Sequence, residues 1–206
     1  MSPRTLSAWR IGQATFNLVI LVLFALCAWA SYRHFLTSRS LQSFGFLAVN
    51  TLVLGLFLGR RKATQESGSL PVWLLAFAGT ALPLLSRPAN LPGMTEVGTV
   101  IQLIGMLIIA TGLLTLWRSF AIVPGHRGIR VTGVYRIVRH PIYIAELVAL
   151  LGATLASPTA WNVSIWLCEC LLQFYRARAE ENLLSADPVY RAYKARVRFR
   201  FVPGVI

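Results

Sequence analysis

Long apolar runs are the feature that most constrains how this chain can fold. Six segments are candidates for crossing a lipid bilayer: residues 11–30, 44–58, 71–85, 97–117, 142–156 and 160 to about 175. A spanning helix needs about 17–25 mostly apolar residues, so the second, third and fifth segments reach only the lower limit. Charged residues make up only 13% of the chain, which is about half the share typical of a soluble domain. We therefore predict an all-α, multi-pass membrane bundle of about six spans, with five spans as the alternative.

The distribution of positive charge predicts the orientation of these spans. The chain carries 20 Lys and Arg against 7 Asp and Glu, a formal net charge of +13. With six spans, 17 of the 20 basic residues lie on one side of the membrane, and only Arg33, Arg39 and Arg87 lie on the other. Because Lys and Arg collect in cytoplasmic loops, both termini are predicted to be cytoplasmic. Topology thus accounts for the charge without nucleic acid as a partner, and it fits a bacterial inner membrane and a eukaryotic endomembrane equally well.

A change in composition divides the chain near residue 118. In residues 1–117 the charged side chains lie outside the predicted spans, whereas from Arg118 onward charged residues such as Glu146 and Glu169 enter the predicted spans themselves. We therefore predict one integrated membrane domain with two parts. Residues 1–117 supply N-terminal transmembrane helices, and residues 118–206 carry the chemistry.

Polar residues inside the last two spans mark a candidate site. An ionisable side chain at the centre of a membrane helix costs at least about 2.5 kcal/mol, so each one calls for a partner or a function. On the last span the polar residues recur at i, i+4, i+7 and i+11 and share one helical face; on the preceding span two more share a face. We predict that the two faces enclose a polar pocket open to the cytoplasm; the alternative is a ladder of internal salt bridges, such as Arg176 with Glu180. The residues are Glu169, Gln173, Arg176 and Glu180 on the last span, and Tyr143 and Glu146 on the preceding one.

The tail after the last span predicts a short amphipathic helix. Asp187 is a suitable N-cap and Pro188 suits the first turn. Such a helix either anchors the chain at the membrane surface or covers the pocket, with Tyr190 and Tyr193 contacting a flat ring. His, Cys and carboxylate residues show no metal-ligand spacing, and the nucleotide-binding glycine motifs are absent from the sequence. We therefore predict no catalytic metal.

Several elements of the second half resemble the carboxyl-terminal signature of the isoprenylcysteine carboxyl methyltransferase family. They lie within residues 118–203 and occur in the family's order, and phospholipid methyltransferases share a looser version. The elements are Arg139-His140-Pro141-Ile142-Tyr143, Gly152, Arg176 followed by Glu180-Glu181 and Leu184, then Tyr190, Tyr193, Val197 and Pro203. Two positions depart from the pattern: Glu146 stands where small or apolar residues are usual, and Asp187-Pro188 replaces a common Phe-Gly pair.

The resemblance implies an integral membrane enzyme that binds S-adenosylmethionine between its last helices and its tail and releases S-adenosylhomocysteine. The acceptor it implies is lipidic or prenyl-like. It further implies that one group of residues surrounds the cofactor and another lies near the transferred methyl group. The first group is Arg139, His140, Tyr143, Glu180 and Tyr190; the second is Tyr143, Arg176 and Glu181. Glu146, Glu169 and Gln173 then line the polar pocket.

The sequence leaves the acceptor and the oligomeric state open. If the acceptor is a carboxylate, Arg176 can orient it with two hydrogen bonds. If it is an amine or a thiol, Glu181 or Tyr143 can help to remove its proton. Three alternatives therefore stand beside carboxylate methylation: a phospholipid or amine N-methyltransferase, a reductase that binds a nicotinamide cofactor, since membrane sterol reductases share this tail pattern, and a non-enzymatic carrier or structural protein.

Overall fold

The computed structural model describes residues 3–87 and 94–205, with side chains from residue 11 onward. Two compact units, Met1–Gly59 and Arg60–Ile206, divide the chain. Two short strands, β1 at Gln65–Glu66 and β2 at Gly125–His126, pair in an antiparallel ladder through Gln65 with His126 and Glu66 with Gly125. The structure confirms the predicted all-α class. The elements are α1 Pro3–Ser38, α2 Leu41–Gly59, β1 Gln65–Glu66, α3 Leu70–Ala81, α4 Thr95–Leu116, β2 Gly125–His126, α5 Pro141–Ala156, α6 Ala160–Leu184 and α7 Pro188–Arg196.

The helices suit an integral membrane protein. Within the described residues, the segments Ile11–Ser38, Leu41–Gly59 and Thr95–Ser119 are long and apolar enough to cross a bilayer, and Leu70–Leu85 and Pro141–Ala156 are shorter apolar helices. The second predicted span is therefore longer than the sequence indicated. The helix that contains the last predicted span also continues past Tyr175 to Leu184, because polar residues on one face of a helix do not end it. The choice between six and five spans stays a prediction.

The unit Met1–Gly59 is a helical hairpin of α1 and α2. A hydrogen bond joins the two helices where Asn50 Nδ2 donates to Ser31 Oγ at 2.9 Å. The rings of Phe24 and Phe57 lie 6.4 Å apart between centroids. Large apolar side chains remain exposed along both helices, among them Leu18 at 60% and Leu58 at 66%. An exposed apolar surface of this kind suits contact with lipid.

In the unit Arg60–Ile206, glycines let α4 and α5 approach closely. A Cβ placed on Gly105 would lie 2.5 Å from the backbone nitrogen of Ala149, and one on Gly152 would lie 2.4 Å from the carbonyl oxygen of Gly98. Any larger residue at these positions would push the backbones apart. Membrane helices commonly use small residues in this way, since lipid offers no hydrophobic drive for association. The α4–α5 pair thereby forms a fixed support for the polar face of α5.

Two helix ends follow directly from the sequence. Helix α3 ends at Ala81 and continues as a tight turn over Leu82–Leu85, because Pro83 has no backbone N–H to extend the α-helical ladder. Helix α7 begins as predicted: Asp187 is its N-cap and accepts a 2.7 Å hydrogen bond from the backbone N–H of Val189. The predicted functional division of the chain at residue 118 stays a prediction.

Candidate functional site

The deepest part of the site is a hydrogen-bonded group on α5 and α6. Gln173 Nε2 donates to Glu169 Oε1 at 2.5 Å and to Glu146 Oε2 at 2.6 Å. Glu169 and Gln173 are completely buried, whereas the Glu146 side chain is 33% exposed. Glu169 stands eleven residues before Glu180 along α6, which is about 16 Å along the helix axis. A hydrogen bond thus connects the predicted polar stripe of α6 with the Glu146 carboxylate on α5.

Arg176 joins this deep group to the residues nearer the tail. Its Nη1 donates to Gln173 Oε1 at 3.1 Å and lies 3.7 Å from Glu146 Oε2. The guanidinium carbon lies 4.7 Å from the centroid of the Tyr143 ring, within cation–π range. Gly79 of α3 makes room for this side chain, because a Cβ there would lie 2.7 Å from Arg176 Cδ. The four neighbours together fix the direction of one buried guanidinium.

Two buried polar atoms of this group have no hydrogen-bond partner within the described part of the chain. They are Glu169 Oε2 and Arg176 Nε. Both residues are at least 95% buried. Leaving such an atom unpaired typically costs about 1–3 kcal/mol. The site therefore retains unused capacity to bind polar groups.

Nearer the tail, Tyr143, His140 and Glu180 form a partly open group. Tyr143 Oη donates to Glu180 Oε2 at 2.9 Å. The His140 and Tyr143 rings stack with centroids 5.3 Å apart and planes 2° apart. His140 Nδ1 lies 3.8 Å from the same Glu180 oxygen. Because the Glu180 side chain is 32% exposed, this group offers a reachable carboxylate beside two aromatic rings.

Glu181, the adjacent residue, has the opposite environment. Its carboxylate is 2% exposed and contacts four basic side chains. Oε1 lies 2.8 Å from Arg139 Nε, 3.2 Å from His140 Nε2 and 3.1 Å from Arg200 Nε. Oε2 lies 3.0 Å from Arg200 Nη2 and 3.2 Å from Lys194 Nζ. Burial would raise the pKa of Glu181, but hydrogen bonds from His140, Arg200 and Arg139 hold it well below its usual value, so the carboxylate stays ionised.

The Glu181 cluster fastens the tail to the start of α5. Arg139 Nη1 donates to the carbonyl oxygens of Val197 at 2.9 Å and Arg198 at 2.6 Å. The backbone N–H groups of Arg139 and His140 donate to the carbonyls of Phe199 and Arg200 at 3.0 and 2.9 Å. The tail therefore folds back over residues that the sequence predicted to surround a cofactor.

The two tyrosines of α7 lie inside this arrangement. Tyr190 and Tyr193 are each 4% exposed and pack with Val197 in one apolar cluster. Tyr193 Oη donates to the carbonyl oxygen of Tyr135 at 2.8 Å. Burial, followed by the charge of Glu180, raises the pKa of Tyr190 well above its ordinary value, so its hydroxyl stays protonated. Helix α7 is thus seated by its aromatic face.

A second contact, which the sequence did not indicate, fastens the start of α7. His126 Nε2 lies 2.5 Å from Asp187 Oδ2, while Asp187 Oδ1 caps the helix. The other ring nitrogen of His126 lies 3.2 Å from Thr64 Oγ1. Nearby, Arg127 forms an ion pair with Glu66. These contacts connect residues about 60 positions apart, so spacing along the sequence gives no signal for them.

The structure brings most of the predicted site residues into one connected set. Tyr190 lies apart from this set: it packs in the apolar cluster with Tyr193 and Val197. Within the described residues it makes no hydrogen bond to the other predicted site residues. Sequence reasoning missed Arg200, Lys194 and Gly79, all of which touch predicted residues. Across residues 3–87 and 94–205, the His, Cys, Asp and Glu side chains form no group of three that could hold a metal ion. The connected residues are Arg139, His140, Tyr143, Glu146, Glu169, Gln173, Arg176, Glu180 and Glu181.

Comparison with known proteins gives one result for this region. Residues 96–186 match the model of the Isoprenylcysteine carboxyl methyltransferase (ICMT) family. The match runs from the first turn of α4 to just beyond the end of α6, and so includes both helices that carry the site but not α7. A search of the curated proteins finds no match to the chain.

Proposed function

We propose that the chain is a membrane methyltransferase that uses S-adenosylmethionine, on the premise that residues 96–186 match the isoprenylcysteine carboxyl methyltransferase family, which the sequence motifs also indicated. Its methyl acceptor is a lipidic or amphipathic molecule. The family match supports the reaction class, and the residues around α5, α6 and the tail support the donor and acceptor sides separately.

The partly open group of Glu180, Tyr143 and His140 is the observation that carries the proposal. S-adenosylmethionine contains a sulfonium and an ammonium cation, and it supplies an electrophilic methyl group when it is bound. Carboxylates and aromatic faces are the partners that such cations prefer. Glu180 provides a reachable carboxylate whose position is fixed by Tyr143 Oη at 2.9 Å. The residues therefore fit the donor.

Glu181 has a positioning role in this account, in place of the catalytic role indicated by its motif. Four basic side chains already occupy its carboxylate, and it is nearly inaccessible. Its contacts hold Arg139 and His140 in place and seat the tail beside Glu180. A seated tail excludes water from the donor side, which strengthens electrostatic interactions within the site.

On the acceptor side, Tyr143 and Arg176 are the residues nearest the reacting groups. The Tyr143 ring contacts both His140 of the donor group and the guanidinium of Arg176. This shared position places Tyr143 between the donor and acceptor regions. Both termini are cytoplasmic in this account, because the positive charges are concentrated on their side of the membrane. A soluble donor then enters from the cytoplasm while a lipidic acceptor arrives through the bilayer.

Substitution of Glu180 tests the donor side directly. We expect Glu180→Gln to weaken binding of S-adenosylmethionine about tenfold to a hundredfold, since a hydrogen bond to a charged group contributes about 1.5–3 kcal/mol. Calorimetric titration should include S-adenosylhomocysteine, which lacks the sulfonium charge. Weaker binding of both ligands assigns Glu180 to the ammonium group, and weaker binding of S-adenosylmethionine alone assigns it to the sulfonium.

The matched control is Glu96→Gln, an exposed residue in the first turn of α4. This control removes the same charge from the far end of the helix bundle and should leave both affinities unchanged. Unaltered binding of both ligands by a folded Glu180→Gln variant would refute the role given to Glu180.

A further inference from the structure

Positive charge is concentrated where residues 60–66 and 117–128 meet. These two segments contain five Lys and Arg, one carboxylate and one histidine. The carboxylate, Glu66, forms an ion pair with Arg127, and the histidine pairs with the aspartate that caps α7. Even with that aspartate counted, an excess of three positive charges remains. The basic residues are Arg60, Arg61, Lys62, Arg118 and Arg127.

Hydrogen bonds hold these segments in a fixed arrangement. The backbone N–H of Arg61 donates to the carbonyl oxygen of Arg118 at 2.8 Å, and Arg127 Nε donates to the carbonyl oxygen of Arg61 at 3.1 Å. Ser119 Oγ donates to the carbonyl oxygen of Arg127 at 3.1 Å. Residues more than 50 positions apart thus form one basic surface. Such a surface is more specific than the general excess of Lys and Arg in cytoplasmic loops.

The inner part of this surface is incompletely neutralised. Arg127 is only 7% exposed, and its Nη1 is buried without a hydrogen-bond partner among the residues that the structure describes. Burial, followed by the charge of Arg127, lowers the pKa of Arg60 to about 10 although Glu66 opposes the shift. At neutral pH both guanidinium groups are charged and repel each other. A further anion would therefore be stabilised here.

The basic surface lies at a boundary between apolar and polar chain. Arg60 directly follows the last residue of α2, and Arg118 lies at the end of the apolar segment Thr95–Ser119. Trp117, beside it, is 53% exposed, and tryptophan is enriched where membrane meets water. Arg61 and Arg118 are exposed as well. Basic clusters next to the ends of membrane helices bind anionic lipid headgroups, which are abundant on the side predicted to be cytoplasmic.

From this arrangement we propose that the basic surface docks the headgroup of an anionic phospholipid. The exposed side chains of Arg61 and Arg118 bind its phosphate. Arg127 adds a buried positive charge, which water and salt screen less than an exposed one. Trp117 contacts the lipid at the level where its headgroup joins the acyl chains. This docking surface is independent of the proposed methyl transfer.

Native mass spectrometry of the protein in a neutral detergent measures lipid affinity directly. The probes are dioctanoylphosphatidylglycerol and dioctanoylphosphatidylcholine, which share the phosphate and the acyl chains but differ in net charge. We expect the phosphatidylglycerol to bind at least about tenfold more tightly, and inorganic phosphate at the same concentration not to displace it. Equal affinity for the two lipids would overturn the proposal. Displacement by inorganic phosphate would assign the surface to a soluble anion and would overturn a lipid as its occupant.

The double variant Arg61→Gln, Arg118→Gln tests the named side chains. Each positive charge near a membrane surface strengthens binding of an anionic lipid about fivefold, so the affinity for phosphatidylglycerol should fall about thirtyfold. The matched control is Arg87→Gln, which removes an exposed charge beside the ring of Trp161. Arg87 lies at the start of α6, whereas β2 lies near the end of that helix.

The control variant should bind phosphatidylglycerol within about twofold of the unmodified protein, because a charge at the far end of the bundle is screened. Unaltered affinity in the folded double variant would overturn the assignment to Arg61 and Arg118. An equal fall in Arg87→Gln would show that the net charge of the whole protein attracts the lipid, which also overturns the proposal.

Chemical modification of arginine tests the unmodified protein, even if the double variant does not fold. Phenylglyoxal reacts with exposed guanidinium groups, and mass spectrometry of peptides locates the products. Saturating phosphatidylglycerol should slow the modification of Arg61 and Arg118 at least about threefold, by occupying them, and should leave that of Arg87 unchanged. Equal rates with and without the lipid at Arg61 and Arg118 would overturn the proposal, and so would equal protection of all three arginines.

Discussion

Replacement of Glu181 by glutamine should release the tail. The change removes a buried charge that contacts Arg139, His140, Lys194 and Arg200, and it brings an amide NH₂ towards cationic donors. Breaking a buried ion pair by removing one partner costs about 3–5 kcal/mol. A tenfold change in population corresponds to about 1.4 kcal/mol, so the detached tail should become at least about a hundredfold more populated.

Limited trypsin digestion measures this release. The carbonyl of Arg198 accepts a hydrogen bond from Arg139, so the peptide bond after Arg198 is protected while the tail is seated. We expect cleavage there to be about a hundredfold faster in Glu181→Gln, under conditions in which opening is fast relative to cleavage. Glu180→Gln is a matched control one residue away, and it should change the cleavage rate by less than about threefold. Cleavage of Glu181→Gln at the rate of the unmodified protein would refute the role of the Glu181 cluster in holding the tail.

Three further predictions concern packing, the site and pH. Gly105→Ala should destabilise the fold by about 1–3 kcal/mol, because its Cβ would meet the backbone of α5. The control Gly55→Ala has open space around it and should not lower the thermal midpoint. Equal midpoints for the two variants would contradict the close approach of α4 and α5. Gly79→Ala should displace Arg176 and reduce methyl transfer at least tenfold with unchanged S-adenosylhomocysteine affinity; full turnover would show that the position of Arg176 is unimportant. The hydrogen bond from His126 lowers the pKa of Asp187. The contribution of the Asp187 carboxylate to seating α7 should therefore be complete above the ordinary aspartate pKa of about 3.9 and should be lost as the pH falls further. The protection factors of the amides of residues 189–196 against hydrogen exchange should therefore fall at acid pH in the unmodified protein and already at neutral pH in Asp187→Asn; equal protection of the two proteins at neutral pH would contradict this.

Local patterns in the sequence are sufficient to predict the helices and the shared face of the deepest site residues. Apolar runs predict the membrane helices, and the spacing of Glu169, Gln173 and Arg176 predicts a shared face on α6. Asp187 followed by a proline predicts the start of α7, which the structure confirms. These features depend on residues within a few turns of one another, so the helical period is enough to reveal them.

The ion pairs around Glu181 and the His126–Asp187 contact depend on how the chain folds back. Arg139 reaches Glu181 across 42 positions, and His126 reaches Asp187 across 61. A motif places Glu181 in the site but does not reveal that basic residues of the tail already occupy it. Gly79 likewise gives no local signal in the sequence, because its role is to leave room for the Arg176 side chain of another helix.

The central claim is that this membrane protein binds a sulfonium methyl donor next to Glu180. Equilibrium titration of the folded, unmodified protein with S-adenosylhomocysteine and, separately, with NADPH tests the claim most directly. We expect saturable binding of S-adenosylhomocysteine and none of NADPH. Binding of NADPH alone would identify a nicotinamide-dependent reductase, and binding of neither ligand by protein with intact helical circular dichroism would favour a carrier or structural role.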